Sequence, residues 1–277
     1  MSDFQMNPAD VQEASVLMSR LADRMSDLEL TKSDDSFDCG DTAVQEALAY
    51  FVSMYNKRGQ TTRTWLNGCS DSLHATAQAS ADTPTMKRQS SSRHFEPSCR
   101  NEGIMATRFS QRFPAVTGDL GAIWSSQNEI RNRRRDIRDL GASLTEAIST
   151  CGDWTGLARE AFNDSARAEQ KEISIWEDGC LQAADALKSY YFTLEWVISS
   201  VNNIRAQADD LWEQYQAMPP ETRSSQHAEL EGELAYLQKS YDDAKHILSE
   251  EALNTAAILR EALYFTPEDI HKETSHG

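Results

Sequence analysis

Apolar residues recur along this chain at steps of three and four, the period of one face of an α-helix. The first such block spans residues 8–30. Val11, Ala14, Met18, Leu21, Met25 and Leu28 form one stripe, Asn7 is placed to cap it, and Pro8 suits its first turn. A polar loop, 31–40, leads into a second block from about Asp41 to Ala81. Its stripe runs Val44, Leu48, Phe51, Tyr55, breaks at a polar patch, and resumes at Trp65, Leu66, Cys69, Leu73 and Ala77. Neither helix can bury its stripe alone, so the pair predicts an antiparallel hairpin.

Periodicity fails over 84–113, where Pro84, Ser90, Ser91, Ser92, Pro97 and Gly103 intervene. Lys87, Arg88, Arg93, Arg100, Arg108 and Arg112 face only Glu96 and Glu102 there, which predicts a basic, flexible linker. A third helix, 118–149, carries Leu120, Ile123, Ile130, Ile137, Leu140, Leu144 and Ile148. Arg131, Arg134, Arg135 and Arg138 interleave with Glu129, Asp136 and Asp139, which reads as a charged face turned to acidic helices. After the break at Thr150–Gly156 comes the most regular stripe of all, from Ile173 through Trp176, Cys180, Ala183, Leu187, Tyr190, Leu194, Val197, Val201, Ile204, Ala208, Leu211 and Tyr215 to Met218. Every step is three or four, a heptad seam on a helix from about Gly156 to Met218. Ala184, Tyr191, Ile198 and Trp212 widen it enough to serve two neighbours. Pro219 and Pro220 end that helix. A fifth, from about Glu221 to Leu263, keeps the heptad through Leu230, Leu234, Leu237, Tyr241, Ala244 and Leu248, then shifts phase at Ala252, Ala256, Leu259 and Leu263, resembling a stutter.

Composition sharpens this into an all-α expectation. The 277 residues include only 12 Gly and 7 Pro, too few for a turn-rich β chain. A formal charge of −17 argues against a nucleic-acid partner, because phosphate repulsion comes first. No stretch approaches the roughly 20 apolar residues that span a bilayer, so no stable membrane insertion is expected. The N-terminus has neither a basic region nor an apolar core of a Sec-type signal peptide. Alone that implies a cytoplasmic chain, while leaving open export by a machine that reads a folded helical signal.

The five cysteines, at 39, 69, 99, 151 and 180, are odd in number and form no CxxC pair, which argues against a zinc site. Cys39 and Cys69 stand roughly 40 Å apart at 1.5 Å per helical residue, far beyond disulfide reach, and Cys151 and Cys180 are similarly placed. All five are expected reduced before export. No HExxH, phosphate-binding loop, GxSxG elbow or Gly-rich turn after a strand occurs. Catalytic residues, metal ligands and cofactors are therefore expected to be none.

Two features stand out from this background. One is the run Gly152-Asp153-Trp154-Thr155-Gly156-Leu157-Ala158-Arg159-Glu160-Ala161-Phe162, set between two long helices. The other is a Tyr-x-x-x-Glu spacing, at Tyr191/Glu195 and at Tyr264/Glu268. The first run resembles the Trp-x-Gly (WXG-like) family of type VII (ESX-type) secretion substrates of actinobacteria. Phe113-Pro114-Ala115-Val116-Thr117-Gly118-Asp119 resembles the segment that opens the signal domain of larger type VII-secreted proteins. Met6-Asn7-Pro8-Ala9, with Cys39-Gly40-Asp41, Val44, Ala47-Leu48 and Phe51, resembles the EspC-like hairpins. The resemblances cover about 3–82 and 113–220.

They imply a WXG-like fold, an antiparallel hairpin followed by a longer antiparallel three-helix bundle. The expected organisation is an EspC-like hairpin over 1–83, the basic linker over 84–113, a WXG-like bundle over 114–265 and a polar tail over 266–277. The implied function is that of a substrate or helical adaptor of type VII secretion, cytoplasmic before export and secreted or cell-surface after it. The implied partners are the secretion machinery and a helical partner protein or second copy. Trp154, Gly156, Phe162, Tyr264 and Glu268 are the candidate signal residues. An antiparallel fifth helix would bring Tyr264 and Glu268 back towards Trp154, making one composite patch. The sequence runs about a dozen residues past helix five, so a structural, partner or accessory role is expected over that of a toxin. The rival readings are a cytoplasmic coiled-coil scaffold and a chaperone for a separate secreted protein.

Overall fold

A computed structural model describes residues 7–30, 38–79, 108–151 and 155–263. Among them are five α-helices and no strand: α1 (Pro8–Arg24), α2 (Thr42–Ala79), α3 (Leu120–Thr150), α4 (Leu157–Ala217) and α5 (Pro220–Glu261). The helix starts follow local chemistry. The Asn7 side chain accepts from the Ala9 amide at 3.1 Å, Asp41 from Ala43 at 2.8 Å and Asp119 from Ala122 at 2.9 Å. Each satisfies an amide that the first helical turn leaves without a partner. The first apolar block divides, because α1 gives way at Met25 to a 3-10 turn, Met25–Leu28. All six of its stripe residues are buried nonetheless.

The described residues fall into two compact units. The first holds residues up to 79, Gly118–Leu194 and the end of α5 from Ser249. α1 lies antiparallel on α2, joined where Ser15 donates to the Ser70 carbonyl at 3.0 Å and where Gln12 meets His74 at 3.1 Å. α2 in turn lies antiparallel on α4. Tyr55 packs on Trp176 with ring centroids 4.9 Å apart, and further along Trp65 donates to Ser165 at 2.9 Å. α3 flanks α4 through Arg134 and Arg138, which share Glu177 at 3.1 and 2.6 Å. These two of the four arginines thus face an acidic helix, as their interleaving predicts.

The hairpin expected over 1–83 is therefore not a unit by itself. It shares one core with α3 and the first half of α4, and residues 114–265 are divided between the two units. Two of the segments that carry the family resemblance meet in this core. The Asp119 amide donates to the Asp38 carbonyl at 2.7 Å, and buried Tyr190 donates to the Cys39 carbonyl at 2.7 Å. Gly40 turns the chain with φ 76°, and a Cβ on Gly118 would stand 3.3 Å from the Gly40 backbone.

The second unit comprises residues 108–117 with the rest of α4 and α5, Glu195–Leu248. Residues 108–113, expected as the end of the linker, are ordered as a strap around a 3-10 turn, Phe109–Arg112. Phe109 sits edge-on to Trp212 at 4.9 Å, and Phe113 is fully buried beside Tyr241. Arg205 donates to the Phe113 carbonyl at 2.7 Å. The rest of the expected linker, and the tail 266–277, lie outside the described residues.

The seam of α4 is buried at every expected position from Ile173 to Ala208, whereas Leu211, Tyr215 and Met218 are half-buried. On α5 the expected positions from Leu234 to Leu263 are buried, including Ala252, Ala256 and Leu259 after the phase shift. No helix is long and apolar enough to cross a membrane among the described residues.

Candidate functional site

The turn from α3 to α4 is built on a conformation that only glycine holds without strain. Gly156 has φ 104°, where a side chain would press on its own backbone. Its carbonyl then accepts from the amides of Arg159 and Glu160 at 3.0 and 3.2 Å, which starts α4. Arg159 reaches back to the Ile148 carbonyl at 3.2 Å, placing a cation at the negative end of the α3 dipole. Its guanidinium also stands 6.0 Å from the centre of the Phe162 ring. Two of the expected signal residues are thus placed, Gly156 immediately before α4 and Phe162 in its second turn. Trp154, Tyr264 and Glu268 lie outside the described residues.

Phe162 lies in a groove of about 520 Å³ between α2 and the start of α4, whose apolar wall includes Trp65, Cys69, Leu73, Ala158 and Ala161. Leu157, at the head of α4, is 84% exposed. The Cys69 thiol is pushed up to about 12 by burial and by the nearby Glu169 carboxylate. It is thus held as a neutral, unreactive group, since the thiolate is the nucleophile. Cys151, buried at the end of α3, is also raised, by burial first.

Below the groove the polar patch of α2 becomes a buried polar layer. Thr62 is fully buried and donates to Glu169 at 2.6 Å, and Arg58 pairs with Glu172 one turn further along. Burial raises the Glu169 carboxyl above its ordinary value, more than Thr62 and Arg58 lower it. The folded state therefore holds that proton to higher pH than the unfolded chain does. Across the window between the ordinary and the raised value, stability falls as pH rises, and the full cost stands above it. A Glu169→Gln variant keeps an acceptor for Thr62 without the charge. Urea denaturation should find it more stable than the parent at pH 7, with the difference shrinking as pH falls to 4.

The described part of α5 does not return to the Gly156 turn. Leu263 and Ala262 lie against Gly179, 23 residues along α4 from Gly156, a distance on the order of 34 Å at 1.5 Å per residue. The cause is length, because α5 has 42 residues and α4 has 61. The second Tyr-x-x-x-Glu tyrosine, Tyr191, is half-buried and packs on Trp124 at 5.2 Å.

No protein-family model matches the sequence, and no curated protein or solved structure matches it. The described residues contain no group of three His, Cys, Asp or Glu side chains placed to hold a metal ion.

Proposed function

We propose that the chain is a substrate or secretion-associated helical adaptor of a type VII (ESX-type) secretion system, acting by protein–protein contact. The observation that carries this reading is the Gly156 turn. It joins two antiparallel helices through a glycine-only backbone conformation, two residues after Trp154 and one and a half helical turns before Phe162. Such a turn fixes where α4 begins and so where Phe162 is carried on a rigid helical support, which suits a signal read in folded form. Leu157 and the groove beside Phe162 add apolar surface at the same end of α4. On this reading the chain is cytoplasmic before export and secreted or surface-bound after it. Tyr264 and Glu268 are the further candidate signal residues.

The test is export from a host with a functional ESX system. Trp154→Ala, Gly156→Ala and Phe162→Ala should each leave the protein in the cell pellet while circular dichroism stays helical. Tyr264→Ala should lower export independently. Undiminished export of all the turn variants would sink this reading. So would a wild-type chain that never leaves the cytoplasm beside its own secretion genes, and the scaffold reading would then take its place.

A further inference from the structure

The α4–α5 hairpin of the second unit has an unfinished seam. Upstream, Val201, Ile204 and Ala208 are buried, as are Leu234 and Leu237 opposite. Towards the turn, Leu211, Met218 and Leu230 are only half-buried. They floor an open groove rather than a closed helix pair. Its main part, about 560 Å³, has Leu211 and Leu237 in its lining with Asp210, Glu229 and Glu233 on the walls and Tyr236 at the rim. A smaller hollow of about 180 Å³ shares Leu211, Glu229 and Glu233 and continues to Met218 and Leu230. From Gln207 to Met218 the groove follows three turns of α4, on the order of 16 Å.

Three properties of this groove select its occupant. Its lining contains three carboxylates and no cation, and none of the three forms an ion pair among the described residues. Its rim is low. Tyr236 is 68% exposed, and a Cβ on Gly232 would meet nothing within 4 Å, so a neighbouring backbone can approach closely. Its floor is a row of leucines spaced as helix seam positions are. We propose that this groove docks a basic amphipathic helix of about three turns from a separate partner protein. Apolar anchors on one face of that helix complete the Leu211–Leu230–Leu237 floor. Lysine or arginine residues flank them, their stems covering the leucines and their heads meeting Asp210, Glu229 and Glu233. A second copy of the same face is the wrong partner, because a two-fold contact sets like carboxylates against each other. The proposal is independent of the secretion reading, since it concerns the other unit and is tested without export.

Fluorescence anisotropy with the full chain tests it. The probe is a labelled 14-residue peptide with leucines at i, i+3, i+7 and i+10 and lysines beside them. It should bind the parent saturably. Joint Glu229→Gln and Glu233→Gln substitution should weaken binding about tenfold and flatten its salt dependence. Leu211→Ser should weaken it as well, with circular dichroism still helical in every variant. A peptide carrying glutamate in place of lysine should not bind. Equal binding of the acidic peptide, no loss on neutralising the carboxylates, or no binding by the parent would each overturn the proposal. So would tighter binding after replacing Lys87, Arg88, Arg93 and Arg100 by serine, because the chain's own basic segment would then be the occupant.

Discussion

Leu194→Asp is expected to cost about 3–5 kcal/mol of stability, enough to lower the melting temperature on the order of 10 °C. Leu194 is fully buried in the middle of the α4 seam, where its Cδ2 lies against Gly118 closely enough that a Cβ there would stand 2.7 Å away. One turn earlier Tyr190 is also fully buried, and its hydroxyl is already committed to the Cys39 carbonyl. An aspartate would place a carboxylate among apolar side chains and loop backbone whose hydrogen bonds are already made. Leu194→Ala separates the two costs, because it removes the packing and adds no charge. It should be destabilising, and less so than aspartate. Thermal melts followed by circular dichroism decide the matter. An aspartate variant that melts with the parent would mean that Leu194 faces solvent.

That this residue can be singled out reflects how much of the fold the spacing of apolar residues carries. Steps of three and four located the buried face of the first block at all six positions, four on α1 and two on the 3-10 turn after it, and that of α4 from Ile173 to Ala208. The polar patch of α2 shows where the same reasoning stops. Thr62 stands seven residues after Tyr55, and Glu169 stands seven before Trp176, so both occupy seam positions by spacing. Being polar, they interrupt the apolar stripes. Only the pairing of α2 with α4 shows that each is the other's partner. Gln127, between Ile123 and Ile130 on α3, is a similar case, a polar residue at a buried stripe position.

The unit boundaries were hidden for a different reason. A basic, Ser-rich segment marks a change of composition, not the end of a core. α2 has 38 residues and α1 has 17, so α1 alone cannot cover the α2 stripe. The far half needs another neighbour, and α4 supplies it through Trp65 and Ser165. The same mismatch of lengths, 42 residues against 61, brings the described end of α5 to Gly179 and not to the Gly156 turn. Helix lengths were legible in the sequence. Which helix would meet the surplus was not, because an apolar stripe does not specify its partner. At the candidate site Gly156 was legible for its backbone role, while the groove beside Phe162 was not, since it takes side chains from α2 some ninety residues earlier in the chain.

Gly179→Ala is the second large effect, and its sign is the informative part. In an ordinary exposed helix, glycine to alanine stabilises by about 1 kcal/mol, because alanine loses less backbone freedom on folding. Gly232 on α5 should behave so, having open space where a Cβ would go. Gly179 lies in the middle of α4, and it is there because the end of α5 crosses directly over it. A Cβ at that place would collide with the Ala262 carbonyl oxygen and stand 2.7 Å from Leu263 Cδ2. The Ala262 obstacle is backbone, so no side-chain rotation relieves it. α5 must move away as a whole, opening its contacts at Leu259 and Leu263, both buried. Overpacking of this kind costs on the order of 1–3 kcal/mol and outweighs the gain in helix propensity. Urea denaturation of the two variants beside the parent should therefore give opposite shifts in midpoint, upward for Gly232→Ala and downward for Gly179→Ala. Gly179→Val, with its larger side chain, should be lower still. If Gly179→Ala also shifts upward, α5 does not end against Gly179. Its C-terminal residues would then be free to lie elsewhere along α4.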